Sequence, residues 1–188
     1  MFDTLNRLGA SGAGTSYEIE RSLRFNRADS AGLSWTPSSA GNRKTWTFSC
    51  WLKRGGLYAT HSGHEAIFGV GTFTTGSSWG GIYFDNNDGI ALFDNTLGQA
   101  VYTTKSFRDT SAWYHVVVYF SQTDAESKIY VNGVEETDYS TDNKGSNADG
   151  NVNNNVAHYI GRDSSGQYFD GQMAEIHFVD GTALTPSN

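Results

Sequence analysis

Trp113-Tyr114-His115-Val116-Val117-Val118-Tyr119-Phe120 is β-branched and aromatic, without glycine, proline or formal charge. Such a run suits a pleated, buried strand, and its length fits a strand better than a helix. Ser121 to Ser127 supplies a polar connection, and Lys128-Ile129-Tyr130-Val131 returns as a second strand. Asn132-Gly133 closes it with the dipeptide that a type I′ hairpin turn requires, because both residues accept positive φ. Strands joined by tight turns need a sheet around them and a second sheet over their apolar face.

The same reading extends outward. Thr45 to Arg54 alternates, with Trp46, Phe48, Cys50 and Leu52 on one face and Thr47, Ser49, Trp51 and Lys53 on the other; this is the period of a strand. Leu23 and Phe25, then Leu33 and Trp35, repeat the pattern before Pro37. Ala66 to Val70 and Val101 to Lys105 are further candidates. Gly81 to Phe84 and Ile90 to Phe93 flank a tight turn at Asp85-Asn86-Asn87-Asp88-Gly89. His158 to Gly161 and Gly171 to Val179 are the last strands. Glu136 to Val156 is rich in Asn, Asp and Gly and reads as a long surface loop. The prediction is an all-β, two-sheet antiparallel β-sandwich over residues 21–188, preceded by an N-terminal arm or linker at residues 1–20.

Composition agrees: 22 glycines, 2 prolines and 14% aromatics among 188 residues fit a turn-rich β protein. The net charge of -7 argues against nucleic acid or an anionic membrane surface as partner, since both need clustered basic residues. Cys50 is the only cysteine, so no intramolecular disulfide forms. No apolar run reaches transmembrane length and no signal-peptide pattern opens the chain. In the arm, Gly9 to Ser16 has linker chemistry. Phe2, Leu5 and Leu8 are the apolar residues outside the strand pattern. Two readings of the arm stand side by side: a frayed terminus, or an assembly segment that docks on a neighbouring subunit.

Four stretches together resemble the concanavalin A-like, laminin-G-like jelly-roll superfamily. They are Ser22-Leu23-Arg24-Phe25-Asn26; Thr47 to Lys53; Trp113-Tyr114-His115-Val116 followed by Ile129 to Gly133; and Ile160-Gly161-Arg162 leading to Phe169 through Ile176. Residues Ile19 to Asn26, Asp29-Ser30-Ala31, Thr36 to Thr45 and Phe178 to Ser187 also look like laminin-G-like modules in virion proteins of marine bacteriophages. That resemblance implies a structural module of the particle surface (tail fibre, tail tip or head decoration), other virion proteins as partners, a homotrimer, and contact with a host-surface glycan. The alternative is a free carbohydrate-binding lectin domain, and the third reading is a glycoside hydrolase.

Enzymes of this superfamily would place two or three carboxylates in register on one concave strand. Glu18/Glu20, Asp124/Glu126 and Glu135/Glu136 are isolated pairs, and Glu175 is followed only by His177 and Asp180. Catalysis is therefore not expected. His61 and His64 lack the partners of a zinc motif, and His115 reads as a packed histidine. No cofactor is required. Calcium is the one ion left open, since many relatives hold it at the sandwich rim. Asp149, Asn151 and Asn153 have the opening spacing of a calcium loop, but Asn154 and Ile160 replace its glycine and glutamate. Asp85, Asp88 and Asp163 remain as candidates for a looser site. For glycan, the candidates are Trp79, Tyr83, Asp85 and Asn86 around one loop and hairpin tip: a ring stacks on the pyranose while polar groups take its hydroxyls. A Trp79 that merely caps the sheet edge is the competing reading.

Overall fold

The structure is a computed structural model, and it describes residues 19–61, 63–73, 78–144 and 147–187. Phe2, Leu5 and Leu8 lie outside the described residues. The strands in chain order are β1 (Leu23–Phe25), β2 (Leu33–Trp35), β3 (Thr45–Arg54), β4 (Glu65–Gly71), β5 (Trp79–Phe84), β6 (Ile90–Asp94) and β7 (Gln99–Thr103). They continue with β8 (Tyr114–Ser121), β9 (Glu126–Val131), β10 (Val134–Glu136), β11 (Tyr139–Asn143), β12 (His158–Ile160) and β13 (Gly171–Asp180). A 3₁₀ turn (Arg27–Asp29) follows β1, and a short α-helix, α1 (Tyr58–His61), follows β3.

Two antiparallel sheets result, ordered β1-β13-β3-β8-β9-β10 and β11-β7-β6-β5-β4-β12-β2. The strongest alternations take the central places. On β3, Trp46, Phe48, Cys50 and Leu52 are fully buried, and Val116, Val118 and Phe120 of β8 lie beside them. From the other sheet, Ile67, Phe68, Ile82, Phe84, Ile90 and Leu92 close the same core. At roughly 1.5–3 kcal/mol per fully buried large apolar side chain, these residues supply most of the driving force for folding. The β9–β10 hairpin turns at Asn132 and Gly133, both at positive φ (53° and 80°), as their identities require.

Two expectations need correction. Trp113 lies outside β8 and is 36% exposed, so the buried strand begins at Tyr114. The Asn-rich stretch is not all surface loop: β11 pairs with β7 inside it, and Asn151 and Val152 are buried. Asp94 explains the second case. Its Oδ2 accepts from the Asn151 amide at 2.6 Å, and its Oδ1 accepts from the Asn151 side-chain amide and the Thr96 and Leu97 backbone amides. Burial pushes the Asp94 pKa up, while those amides work against the rise. The strand-free half of the loop is thus pinned by polar groups that satisfy one another.

The connection from β12 to β13 crosses the outer face of the seven-stranded sheet. A side chain at Gly69 would strike the Arg162 carbonyl at 2.6 Å, so only glycine lets the two segments touch. A bridge between Ala66 and Tyr168 fixes the crossing. That segment becomes one wall of the site.

Candidate functional site

A cleft of about 430 Å³ opens on the outer face of the seven-stranded sheet. Trp79 and Tyr83 on β5, Ala91 and Phe93 on β6 and Tyr102 on β7 supply its sheet side. Register places them together: Tyr83 opposes Ala91, Ala91 opposes Tyr102, and Gly81 opposes Phe93. Gly81, at φ 146°, has the Phe68 carbonyl where a side chain would start, so the floor between Trp79 and Tyr83 stays bare. Trp79 packs between Phe73 and Phe93, with ring centroids at 4.3 and 4.6 Å. Tyr58 and His64 stand on one side, and Asp163, Ser165 and Gln167 of the crossing segment on another.

Asp163 organises that segment. Its Oδ1 accepts from the Ser165 amide (2.8 Å), the Ser165 hydroxyl (2.9 Å) and the Gln167 amide (3.0 Å); the same hydroxyl lies 3.0 Å from Oδ2. Gln167 Oε1 is shut off from solvent and has no hydrogen-bond partner. Tyr83 donates its hydroxyl to the Gly80 carbonyl at 3.0 Å. Burial first, then the negative charge of Asp163, pushes the Tyr83 pKa well above its ordinary value. Burial, helped by Asp85, raises that of Tyr102. Both phenols therefore stay protonated at neutral pH.

The opposite side of the cleft rests on a buried charge network. The Arg54 side chain, with no exposed surface, donates to Glu65 Oε2 from Nε (3.1 Å) and Nη2 (2.7 Å), to Asp88 Oδ1 (2.9 Å) and to the Phe107 carbonyl (3.0 Å). Its guanidinium lies over Phe84 at 4.1 Å. Asp88 also accepts from Arg108 Nε at 2.9 Å and from the Tyr58 amide at 2.9 Å, which holds α1 beside the cleft. Burial works against Asp88 ionisation, but the Tyr58 amide and the two guanidinium groups keep its pKa below the usual carboxylate value.

Of the sequence-predicted glycan residues, Trp79 and Tyr83 line the cleft, whereas Asp85 and Asn86 do not. Asp85 is 5% exposed, and its Oδ1 accepts from the amides of Asn87 and Gly89, shaping the β5–β6 turn. The calcium candidates do not converge: Asp85 serves turn amides, Asp88 two arginines, and Asp163 its own loop. Among the described residues no cluster of three His, Cys, Asp or Glu could hold a metal ion. On the opposite sheet, half-buried His115 stacks on Trp51 at 4.9 Å and shares a hydrogen bond with Ser49 Oγ at 3.0 Å. Sequence reasoning missed Tyr58, His64, Phe73, Phe93, Tyr102, Ser165 and Gln167. The outward aromatics Phe93 and Tyr102 carried a signal in strand parity. The loop residues carried only the turn signature Asp163-Ser164-Ser165-Gly166.

A second hollow, of about 610 Å³, lies at the open edge of the sandwich. There β13 pairs with β1 only through Gly171, Gln172 and Met173. Leu23, Leu33, Trp35, Phe48, Phe68, Ile160, Met173, Ile176 and Phe178 make its walls almost wholly apolar.

Residues 27–188 match the profile of the concanavalin A-like lectin/glucanases superfamily, and the chain belongs to that family. No curated protein matches its sequence. Among solved structures it is similar to a candidate carbohydrate-binding protein of Bacteroides ovatus, with TM-score 0.66 and 21% identity over 90% of this chain; it spans 45% of that protein's length. It is also similar to domain 4 of AbnA, a GH43 extracellular arabinanase of Geobacillus stearothermophilus solved with arabinotriose, with TM-score 0.63 and 20% identity over 88% of this chain and 73% of that one. The CBM40 of Ruminococcus gnavus IT-sialidase gives TM-score 0.54 and 12% identity over 84% of this chain and 95% of that one. At these identities the likeness shows the fold.

Proposed function

We propose that this chain is a non-catalytic carbohydrate-binding module and that its sugar site is the cleft on the seven-stranded sheet. One observation carries the reading. The cleft sets the rings of Trp79, Phe93 and Tyr102 beside hydroxyl, amide and carboxylate oxygens, and a pyranose needs both an apolar face and partners for its hydroxyls. Among the described residues lining it, Asp163 is the only carboxylate, whereas glycoside hydrolysis uses a facing pair roughly 5–9.5 Å apart. The structural neighbours named for carbohydrate binding favour the same reading. Calorimetric titration with an oligosaccharide panel tests it. Binding without hydrolysis, abolished by Trp79→Ala, is expected; release of reducing ends by the pure protein would overturn it.

The setting we propose is the surface of a bacteriophage particle, as a tail-fibre, tail-tip or head-decoration module that contacts host-surface glycan. Other virion proteins would be its partners, a homotrimer its assembly, and Phe2, Leu5 and Leu8 the anchors. The support is the sequence resemblance over residues 19–45 and 178–187, with a net charge that disfavours nucleic acid. Deleting residues 1–16 should leave the folded domain intact and abolish incorporation into particles. Normal incorporation of the truncated chain would refute the arm's role.

A further inference from the structure

Resting on the carbohydrate-binding reading, we infer that the cleft selects uncharged glycans and excludes those bearing carboxylate or sulfate groups. Three observations converge on this. First, among the described residues no Lys or Arg lines the cleft. The neighbouring Arg27 lies beside Gly63 and donates Nη1 to the Tyr168 carbonyl at 2.9 Å. Anionic sugars are held by such cations, often bidentately, and without one the ligand's charge loses water and gains nothing in return.

Second, the crossing segment presents a carboxylate with room for a donor. Asp163 Oδ1 takes the Ser165 and Gln167 amides, and Oδ1 and Oδ2 share the single Ser165 hydroxyl, which leaves Oδ2 with capacity for another donor. A sugar hydroxyl supplies such a donor, whereas a ligand carboxylate or sulfate brings only more acceptors to it. Third, Asp163 brings a negative charge, in a chain whose net charge is -7. At close range and low local dielectric, like charges repel strongly.

The aromatic walls complete the argument. Trp79, Phe93 and Tyr102 offer rings to the apolar C–H faces that all pyranoses share, so stacking contributes equally to neutral and acidic sugars. Discrimination then falls to the polar wall, where it runs against the anion.

The test is titration of the full chain at pH 7.5 with matched pairs: galactotriose against trigalacturonate, lactose against α2,3-sialyllactose, and laminaritriose against its sulfated form. The expected result is binding to at least one neutral member, at least tenfold weaker binding of its acidic counterpart, and a neutral-sugar affinity unchanged between 50 mM and 500 mM salt, since no ion pair is made. Equal or tighter binding of the acidic members overturns this inference and leaves sugar binding standing. No binding to either member of any pair overturns the sugar site and this inference with it.

Discussion

Two hollows lined by the described residues, of about 610 and 430 Å³, differ in kind. The larger, at the sandwich edge, exists because β13 outruns β1 and the two sheets part there. Its walls are core residues continued to the surface, and among the described residues only Arg21, Ser22 and Glu175 give it a polar lining. The smaller, on the seven-stranded sheet, is built. A glycine keeps its floor bare, an aspartate shapes one wall, and a buried arginine network stands behind another. Volume ranks the edge hollow first; chemistry ranks the cleft first, because a polyol needs acceptors as well as rings.

If the cleft depends on that network, Arg54→Met gives the largest effect. It removes the buried cation that Glu65 and Asp88 share, with an expected stability loss of about 3–5 kcal/mol. Urea unfolding should show a lower midpoint, and sugar binding should weaken because Asp88, which accepts from the Tyr58 amide, loses one of the two guanidinium groups that fix it. Full stability would mean the network is not a support. Next, Trp79→Ala should cost about 2 kcal/mol or more of binding, as for a central aromatic anchor, while Trp35→Ala in the edge hollow should leave affinity unchanged. Equal losses from both would dissolve the distinction.

A third contrast lies in acid sensitivity. His158 on β12 is buried behind Trp35, with ring centroids 5.2 Å apart. Its Nε2 accepts from the Asn153 amide at 3.0 Å and its Nδ1 donates to the Val156 carbonyl at 2.7 Å, so the ring is neutral. Burial, only partly opposed by the Val156 carbonyl, holds its pKa below the ordinary 6.5. The neutral ring therefore stabilises the fold fully above pH 6.5, and that contribution is lost as pH falls from 6.5 through the folded-state pKa. Melting temperature followed from pH 7.5 to 4.5 should decline across that window, and His158→Gln should remove that part of the slope. The smallest effect is Leu33→Ser at the edge hollow: the side chain is 49% exposed, and stability should change by no more than about 0.5 kcal/mol.

The fold was legible where burial on one face imposes a period of two. Thr45–Arg54 and the Asn132-Gly133 turn read directly, because the core and the turn leave the residue types little freedom. Strand β11 did not, since Tyr139–Asn143 lies at a solvated sheet edge where alternation is not selected. The cleft was half legible. Trp79 and Tyr83 share a strand with the hairpin, so one local reading found both. Asp85 looked like an exposed ligand because sequence cannot say that turn amides claim its carboxylate. Ser165 and Gln167 lie far along the chain from Trp79, and only the crossing of the β12–β13 segment over Gly69 brings them to it.

The central claim is that sugar binds on the seven-stranded sheet and not at the open edge. Amide chemical-shift mapping during titration with a bound neutral oligosaccharide tests it most directly. The account predicts shifts concentrated at Trp79, Phe93, Tyr102, Ser165 and Gln167. Shifts concentrated at Leu23, Leu33, Trp35 and Ile176 would contradict it.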